Sequence, residues 1–355
     1  MVFGLRGENL ARYDAPHTVT FDAPNSGGWP DVVQFLQDNF VAPAKQGGEA
    51  ASLRAKRERF ESIASQRSFD CTRTPATLTA SDSYELSGEW TTIDGTDPAR
   101  RILYVHGGAY AVGSAKSHRA ITYNLAKRTG CAVFAINYRL IPENKRLSGV
   151  QDCKDAYLWT LANGPDGEAA AKTIAVMGDS AGGNLSLVVS RWASADSAIR
   201  TPDAIVGLSA HTDATAQSPS LKANLATDIM LQPMLAPILK IPVTLYRLAI
   251  WKMAGVKPAH PDLSPIMGDL AGLPPTLLQV SASEMLFDDN LRYATKAREY
   301  GSDVSVQSWR DMCHVWHIFD DKLSESHHAF DEIAAFLTTH GVSAKTPKAR
   351  VKAKG

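Results

Sequence analysis

Ser180 lies in the run Gly178-Asp-Ser-Ala-Gly-Gly-Asn184. Before it comes the apolar stretch Thr173-Ile-Ala-Val-Met177, and after it a helix-compatible stretch from Leu185 to Ala195. A serine between a strand and a helix sits on a sharp turn that holds its hydroxyl out of the sheet, with small residues clearing space around it. The chemistry open to such a serine is attack on an acyl carbon. The pattern Gly-x-Ser-x-Gly alone recurs by chance in roughly one chain of this length in ten. A plain tight turn is the competing reading, so the partners must decide.

Acyl transfer needs a base for the serine, an acid to orient the base, and donors for the oxyanion. For a serine on this kind of turn the acid and then the histidine follow in chain order, each on a loop after a strand. The strand ending at Val280 is followed by Ser281-Ala-Ser-Glu-Met-Leu-Phe-Asp-Asp289, which places Glu284 just past the strand. Asp288 and Asp289 fall where the next helix starts, where an acid serves as cap or dipole partner. Glu284 is the expected orienter and Asp288 the reserve. The strand ending at Trp309 leads into Arg310-Asp-Met-Cys-His-Val-Trp-His317. His314 is the expected base, with His317 a weaker competitor; His327 and His328 read as surface residues near the last helix. Ile102-Leu-Tyr-Val105 runs into His106-Gly107-Gly108-Ala109-Tyr110. Paired glycines let backbone amides turn toward a carbonyl oxygen. The amide after the nucleophile, that of Ala181, completes the expected oxyanion hole.

These residues need elements to hold them. Asp31–Phe40 and Glu49–Ile63 read as helices, and Thr77–Ile93 as a β-hairpin. From residue 101 apolar strands (102–105, 131–136, 173–177, 204–208, 276–280, 304–309) alternate with helical stretches. That rhythm means βαβ units and a mostly parallel sheet with helices on both faces. It breaks after Ser209 and resumes near residue 276. The Pro-, Met- and Leu-rich insertion between suits a cap over the carboxyl ends of the strands, where ligands of such sheets bind. The expected division is 1–70, helical and contributing to the cap; 71–209 and 276–342, the two parts of the core; 210–275, the cap insertion; and 343–355, a basic disordered tail. Strand 304–309, if it is the sheet edge, could pair two subunits as a homodimer.

The 355 residues carry 37 cations and 37 acids, so nothing argues for nucleic acid as a partner. The first residues, Met1-Val-Phe-Gly-Leu-Arg-Gly-Glu8, hold no apolar signal region. The apolar region Ile229–Met253 is broken by Pro233, Pro237, Lys240, Pro242 and Arg247, so stable membrane insertion is not expected. Cys71, Cys131, Cys153 and Cys313 form no Cys-x-x-Cys pair and read as reduced thiols of a cytoplasmic protein. No metal-binding, phosphate-binding or dinucleotide motif is present.

His106-Gly-Gly-Ala109, Asn137-Tyr-Arg-Leu-Ile-Pro-Glu143, Gly178-Asp-Ser-Ala-Gly-Gly183 and Leu273-Pro-Pro275 together resemble the hormone-sensitive-lipase-like branch (bacterial family IV) of the α/β-hydrolases, over about residues 88–340. The resemblance implies an α/β-hydrolase fold with a helical cap. It also implies a carboxylic ester hydrolase without cofactor or metal, acting on a small-molecule ester with a short to medium acyl chain. On this likeness Gly107, Gly108 and Ala181 are the oxyanion donors and His314 the catalytic histidine. Three departures stand out: Ala109 replaces a usual glycine, Glu284 stands where many relatives have aspartate, and Asn144-Lys-Arg-Leu-Ser148 replaces a proline-containing stretch. Tyr138, Arg139 and Glu143 are expected to brace loops. Rival readings are an amidase, deacetylase or thioesterase with the same triad, a non-catalytic ligand-binding relative, and a lipase acting at membranes.

Overall fold

The computed structural model describes residues 4–16, 18–22, 27–65 and 67–343. The expected tail lies outside the described residues from 344 onward, as do residues 1–3.

The alternating apolar runs form one eight-stranded sheet. Its strands are β1 (Thr72–Thr79), β2 (Glu85–Thr92), β3 (Asp97–Val105), β4 (Cys131–Asn137), β5 (Thr173–Asp179), β6 (Ala204–Leu208), β7 (Thr276–Ser281) and β8 (Val304–Trp309). The spatial order is β1-β2-β4-β3-β5-β6-β7-β8. The hairpin β1–β2 is antiparallel and adds to β4 antiparallel, while every pair from β4 through β3 to β8 is parallel. Central strands are buried along their length, with Ala204 to Leu208 and Thr276 to Ser281 wholly covered. Strands shielded on both faces read as continuous apolar runs rather than alternating ones, which is why they were visible in the sequence.

Helices α1 (Trp29–Leu36) and α2 (Leu53–Ser65) precede the sheet. Within the sheet region α3 (Arg119–Thr129), α4 (Arg146–Ala162) and α5 (Ala181–Ser194) follow. Next come α6 (Gln232–Leu239) and α7 (Val243–Ala254), then α8 (Phe287–Glu299) and α9 (Ser324–Thr339). One core cluster joins Leu103, Val105, Ile174 and Val176 to Leu185, Val188 and Tyr293; the other joins Ile102, Tyr104 and Met177 to Leu125, Phe330 and Ile333. These are the opposite faces of β3 and β5, each packed by its own helices.

The apolar region 229–253 folds as α6 and α7, bent 113° apart at the break that Lys240, Ile241 and Pro242 impose. Among the described residues no single helix is long and apolar enough to cross a membrane. Strand β8 is the sheet edge, but its end is not bare. The amides of Thr20 and Phe21 donate to Ser308 O at 3.0 and 2.9 Å, and Arg310 N donates to Phe21 O at 3.0 Å. The chain's own N-terminal segment thus takes part of the edge on which a second subunit was expected to pair.

Candidate active site

Parallel strands end on one side of the sheet, so loops after β5, β7 and β8 converge there. Ser180 follows β5 directly, with φ 51° and ψ −114°, outside the regions an L-residue favours. Such strain costs of order 1–3 kcal/mol and must be held by the surroundings. Gly178 and Gly182 allow it. A Cβ on Gly178 would overlap Gly182 O, and one on Gly182 would overlap Val105 O. The turn can therefore fold tightly against β3 only with hydrogen at both positions.

Glu284 lies three residues past β7 and His314 five past β8. His314 Nε2 is 2.9 Å from Ser180 Oγ, and His314 Nδ1 is 2.7 Å from Glu284 Oε2. Both His314 and Glu284 are almost wholly buried. Glu284 Oε1 accepts from Ser281 N at 2.7 Å and from Ser209 Oγ at 2.9 Å, so the whole carboxylate is engaged. Burial drives the Glu284 carboxyl above its usual range, opposed by the hydrogen bond and charge of His314. Burial pulls His314 down, but the hydrogen bond and charge of Glu284, joined by Asp228, leave it above the ordinary histidine value. A neutral imidazole can take the Ser180 proton, and the cation that results faces a fixed carboxylate.

The reserve acid is elsewhere. Asp288 Oδ2 accepts from Ser220 N at 2.7 Å, in the first turn of α8. His317 Nε2 meets Gln279 Oε1 at 2.9 Å, and burial pushes that ring down to about 3. His327 sits beside Arg128, and His328 packs edge-on against Phe21.

The glycine loop after β3 departs from expectation. Gly107 N donates to Asp179 Oδ1 at 2.9 Å, and a Cβ on Gly107 would overlap Asp179 Oδ2. Its amide is therefore spent inside the protein and does not face a substrate. The next amides are differently placed. Gly108, Ala109 and Ala181 donate to no protein acceptor among the described residues. Gly108 and Ala109 line the same cavity as Ser180, which Gly107 does not. Gly108 (φ 109°), Ala109 (φ 52°) and Tyr110 (φ 62°) run through the left-handed region and turn the loop over the serine. Ala181 starts α5, so its amide also carries the positive end of the helix dipole.

Residues invisible as a motif hold this loop. Asp179 also accepts from Tyr104 Oη at 2.5 Å and lies 3.4 Å from His118 Nε2, all buried. Burial opposes the Asp179 charge, but His118, Tyr104 and Gly107 hold the carboxyl down at about 2. Tyr138 Oη donates to His106 O at 2.9 Å. Arg139 pairs with Asp152 at 2.5 Å and Asp82 at 2.7 Å, and Glu143 takes both Arg57 amines at 2.8 Å. These contacts tie the loop after β4 to the core and to α2.

The segment 210–275 also reaches the acid loop. Asn224 Nδ2 donates to Ala282 O at 2.9 Å and Glu284 O at 2.7 Å. Thr227 Oγ1 donates to Ser283 O at 2.9 Å, and Asp228 Oδ2 accepts from Met285 N at 2.9 Å. Two cavities meet at Ser180 and Ala109. The larger, about 1020 Å³, is walled by α6 and α7 side chains such as Leu235, Ile238, Tyr246 and Ile250. The smaller, about 240 Å³, is bordered by Phe40 and Phe60 from the N-terminal helices and by His314.

With this geometry in view, a family described as the alpha/beta hydrolase fold matches residues 102–318. The chain belongs to the α/β-hydrolases, among their hormone-sensitive-lipase-like esterases. This hydrolase is 36% identical over 241 residues to an acetyl-hydrolase of Streptomyces hygroscopicus, covering 68% of this chain and 76% of that one. It is 31% identical over 238 residues to an esterase of Acinetobacter venetianus, covering 67% and 74%. Among solved structures it is similar to an esterase from the bacterial hormone-sensitive lipase family, with a TM-score of 0.75, 29% identity and coverage of 89% and 99%. The hydrolase is thus, by family, a carboxylic ester hydrolase.

Proposed function

We propose that this α/β-hydrolase is a serine carboxylesterase that hydrolyses short- to medium-chain carboxylic esters through an acyl-enzyme on Ser180. The observation that carries the reading is the continuous relay Ser180–His314–Glu284 at 2.9 and 2.7 Å. Ser180 Oγ attacks the ester carbonyl while its proton passes to His314 Nε2. Glu284 holds the ring and stabilises its cation. The tetrahedral oxyanion is received by the amides of Gly108, Ala109 and Ala181, with Ala109 taking the part first expected of Gly107. Collapse breaks the ester C–O bond, and His314 returns its proton to the departing alcohol. Water then attacks the acyl carbon with His314 again as base, releasing the acid and restoring Ser180.

The departing oxygen must lie within reach of His314 Nε2. The smaller cavity borders His314 and the larger does not, so the alcohol belongs in the smaller and the acyl chain in the larger. The relatives' names, acetyl-hydrolase and ethyl acetate hydrolase, support compact esters. In this reading the N-terminal segment 1–70 contributes to the cap together with the insertion 210–275.

The test is labelling with a p-nitrophenyl phosphonate. Mass spectrometry is expected to place one phosphonyl group on Ser180, with loss of p-nitrophenyl butyrate turnover; Ser180→Ala should be inert to both. Turnover that survives in Ser180→Ala sinks the reading.

A further inference from the structure

The cap helix α7 is apolar on both sides. Ala254 is buried, Ile250 packs onto the cluster of Ala214 and Leu263, and Arg247 Nε reaches inward to Thr215 O at 2.8 Å. The opposite face carries Leu245, 55% exposed, and Leu248, 39% exposed. Ile241 (47%) and Met253 (50%), which line the larger cavity, are exposed as well. A helix that is apolar all round belongs in an interior, and one left half open marks a surface that meets a partner.

Charge identifies the partner. Between Asp228 and Asp262 the chain has no acid, yet it has Lys240, Arg247, Lys252 and Lys257. Lys240 and Lys252 are exposed at the two ends of the apolar surface. A second copy docking the same face on itself would set these lysines against each other. The tail 344–355, with five cations and no acid, has the wrong sign to cover it. An apolar strip flanked by lysines is the pattern that settles into an anionic lipid interface, side chains in the acyl boundary and amines at the headgroups. The same segment walls the larger cavity through Ile238, Tyr246 and Ile250.

We infer that the outer face of α7 docks reversibly on an anionic phospholipid surface. The docking does not depend on the Ser180 chemistry proposed above, so binding is read separately from hydrolysis. The experiment is co-sedimentation of the full chain, as Ser180→Ala, with vesicles of phosphatidylglycerol and phosphatidylcholine and with phosphatidylcholine alone. Partitioning onto the anionic vesicles should be at least about tenfold stronger. Leu245→Ser/Leu248→Ser and Lys252→Glu, none of which touches a cavity, should each reduce it about tenfold. In the Ser180 background these variants should keep p-nitrophenyl acetate turnover, which shows that they fold. Failure of the parent to sediment with anionic vesicles overturns the inference, as does equal binding by the Leu245→Ser/Leu248→Ser protein. A dimer in analytical ultracentrifugation that this double variant dissolves, without vesicle binding, assigns the face to a second copy instead.

Discussion

The Ser209 hydroxyl donates to Glu284 Oε1 at 2.9 Å, while the other oxygen of the same carboxylate faces His314. Ser209 directly follows β6, the strand between those that lead to Ser180 and Glu284, and its φ is 49°. It also accepts from Val315 N at 3.2 Å, so one hydroxyl braces both the acid and the loop that carries the histidine. Ser209→Ala should lower kcat about tenfold with little change in KM, because it loosens the orienting acid without touching substrate. An unchanged kcat would show that Ser281 N alone holds Glu284.

In the proposed mechanism the histidine sets the acid limb of activity. As pH falls through the raised value of His314, the ring gains a proton and can no longer accept one from Ser180. kcat/KM should therefore fall below a midpoint above the ordinary histidine range. In Glu284→Gln the main raising influence is gone and burial prevails, so the midpoint should move to lower pH, with plateau kcat reduced by up to about 10⁴-fold. A midpoint that stays put would remove Glu284 from the role of orienter.

Asp179 fixes the loop of the proposed oxyanion donors, through Gly107 N. Asp179→Asn weakens the bond to His118 and frees the loop. The expected loss in kcat is about 10²-fold, of the size seen when an oxyanion donor is displaced, with KM nearly unchanged. Far-ultraviolet circular dichroism checks that the fold survives. Retained kcat would mean that the loop is held by Tyr138 and its neighbours alone.

The unequal cavities predict unequal tolerance. Lengthening the acyl chain from acetate to hexanoate in a series of ethyl esters should leave kcat/KM within about tenfold. Changing the alcohol from ethyl to tert-butyl should cost more than about tenfold, since one poorly accommodated group is worth about 1–3 kcal/mol. The opposite ranking would exchange the roles of the two chambers.

Asp289 offers a test on stability rather than rate. It is buried, accepts from Thr212 N at 2.8 Å and from Ser218, and lies beside Asp213. Burial and the Asp213 charge raise its carboxyl to about 7. An unfolded aspartate releases its proton near ~4, so between these values the folded chain holds more protons and stability falls as pH rises. Asp289→Asn has no such proton. Its Tm relative to the parent should therefore improve between pH 4.5 and 7.5 in thermal melts; a constant gap would contradict the shift.

The elements that were legible in the sequence share a physical cause. Strands such as Ala204–Leu208 are buried on both faces, and a loop residue just past a strand end has only one place to be, so Ser180, Glu284 and His314 could be set in order. The hidden part depends on neighbours far apart in the chain. Gly107 and Gly108 are chemically identical, and only the approach of Asp179 shows which amide is turned inward. Asp179, an acid at the end of an apolar strand, was the one available signal, because a buried charge needs partners. Ser209 and Asn224 carried no signal of their own; their roles come from which strands lie side by side.

The hydrogen bonds that join Asn224, Thr227 and Asp228 to residues 282–285 make the beginning of the proposed cap insertion part of the acid's own scaffold. A cap exchanged between relatives at the strand boundaries would carry away this scaffold together with the pocket wall. Grafts that keep residues 210–231 and replace only 232–275 should alter selectivity while sparing the relay. The useful seam for redesign is therefore inside the cap, not at its edge.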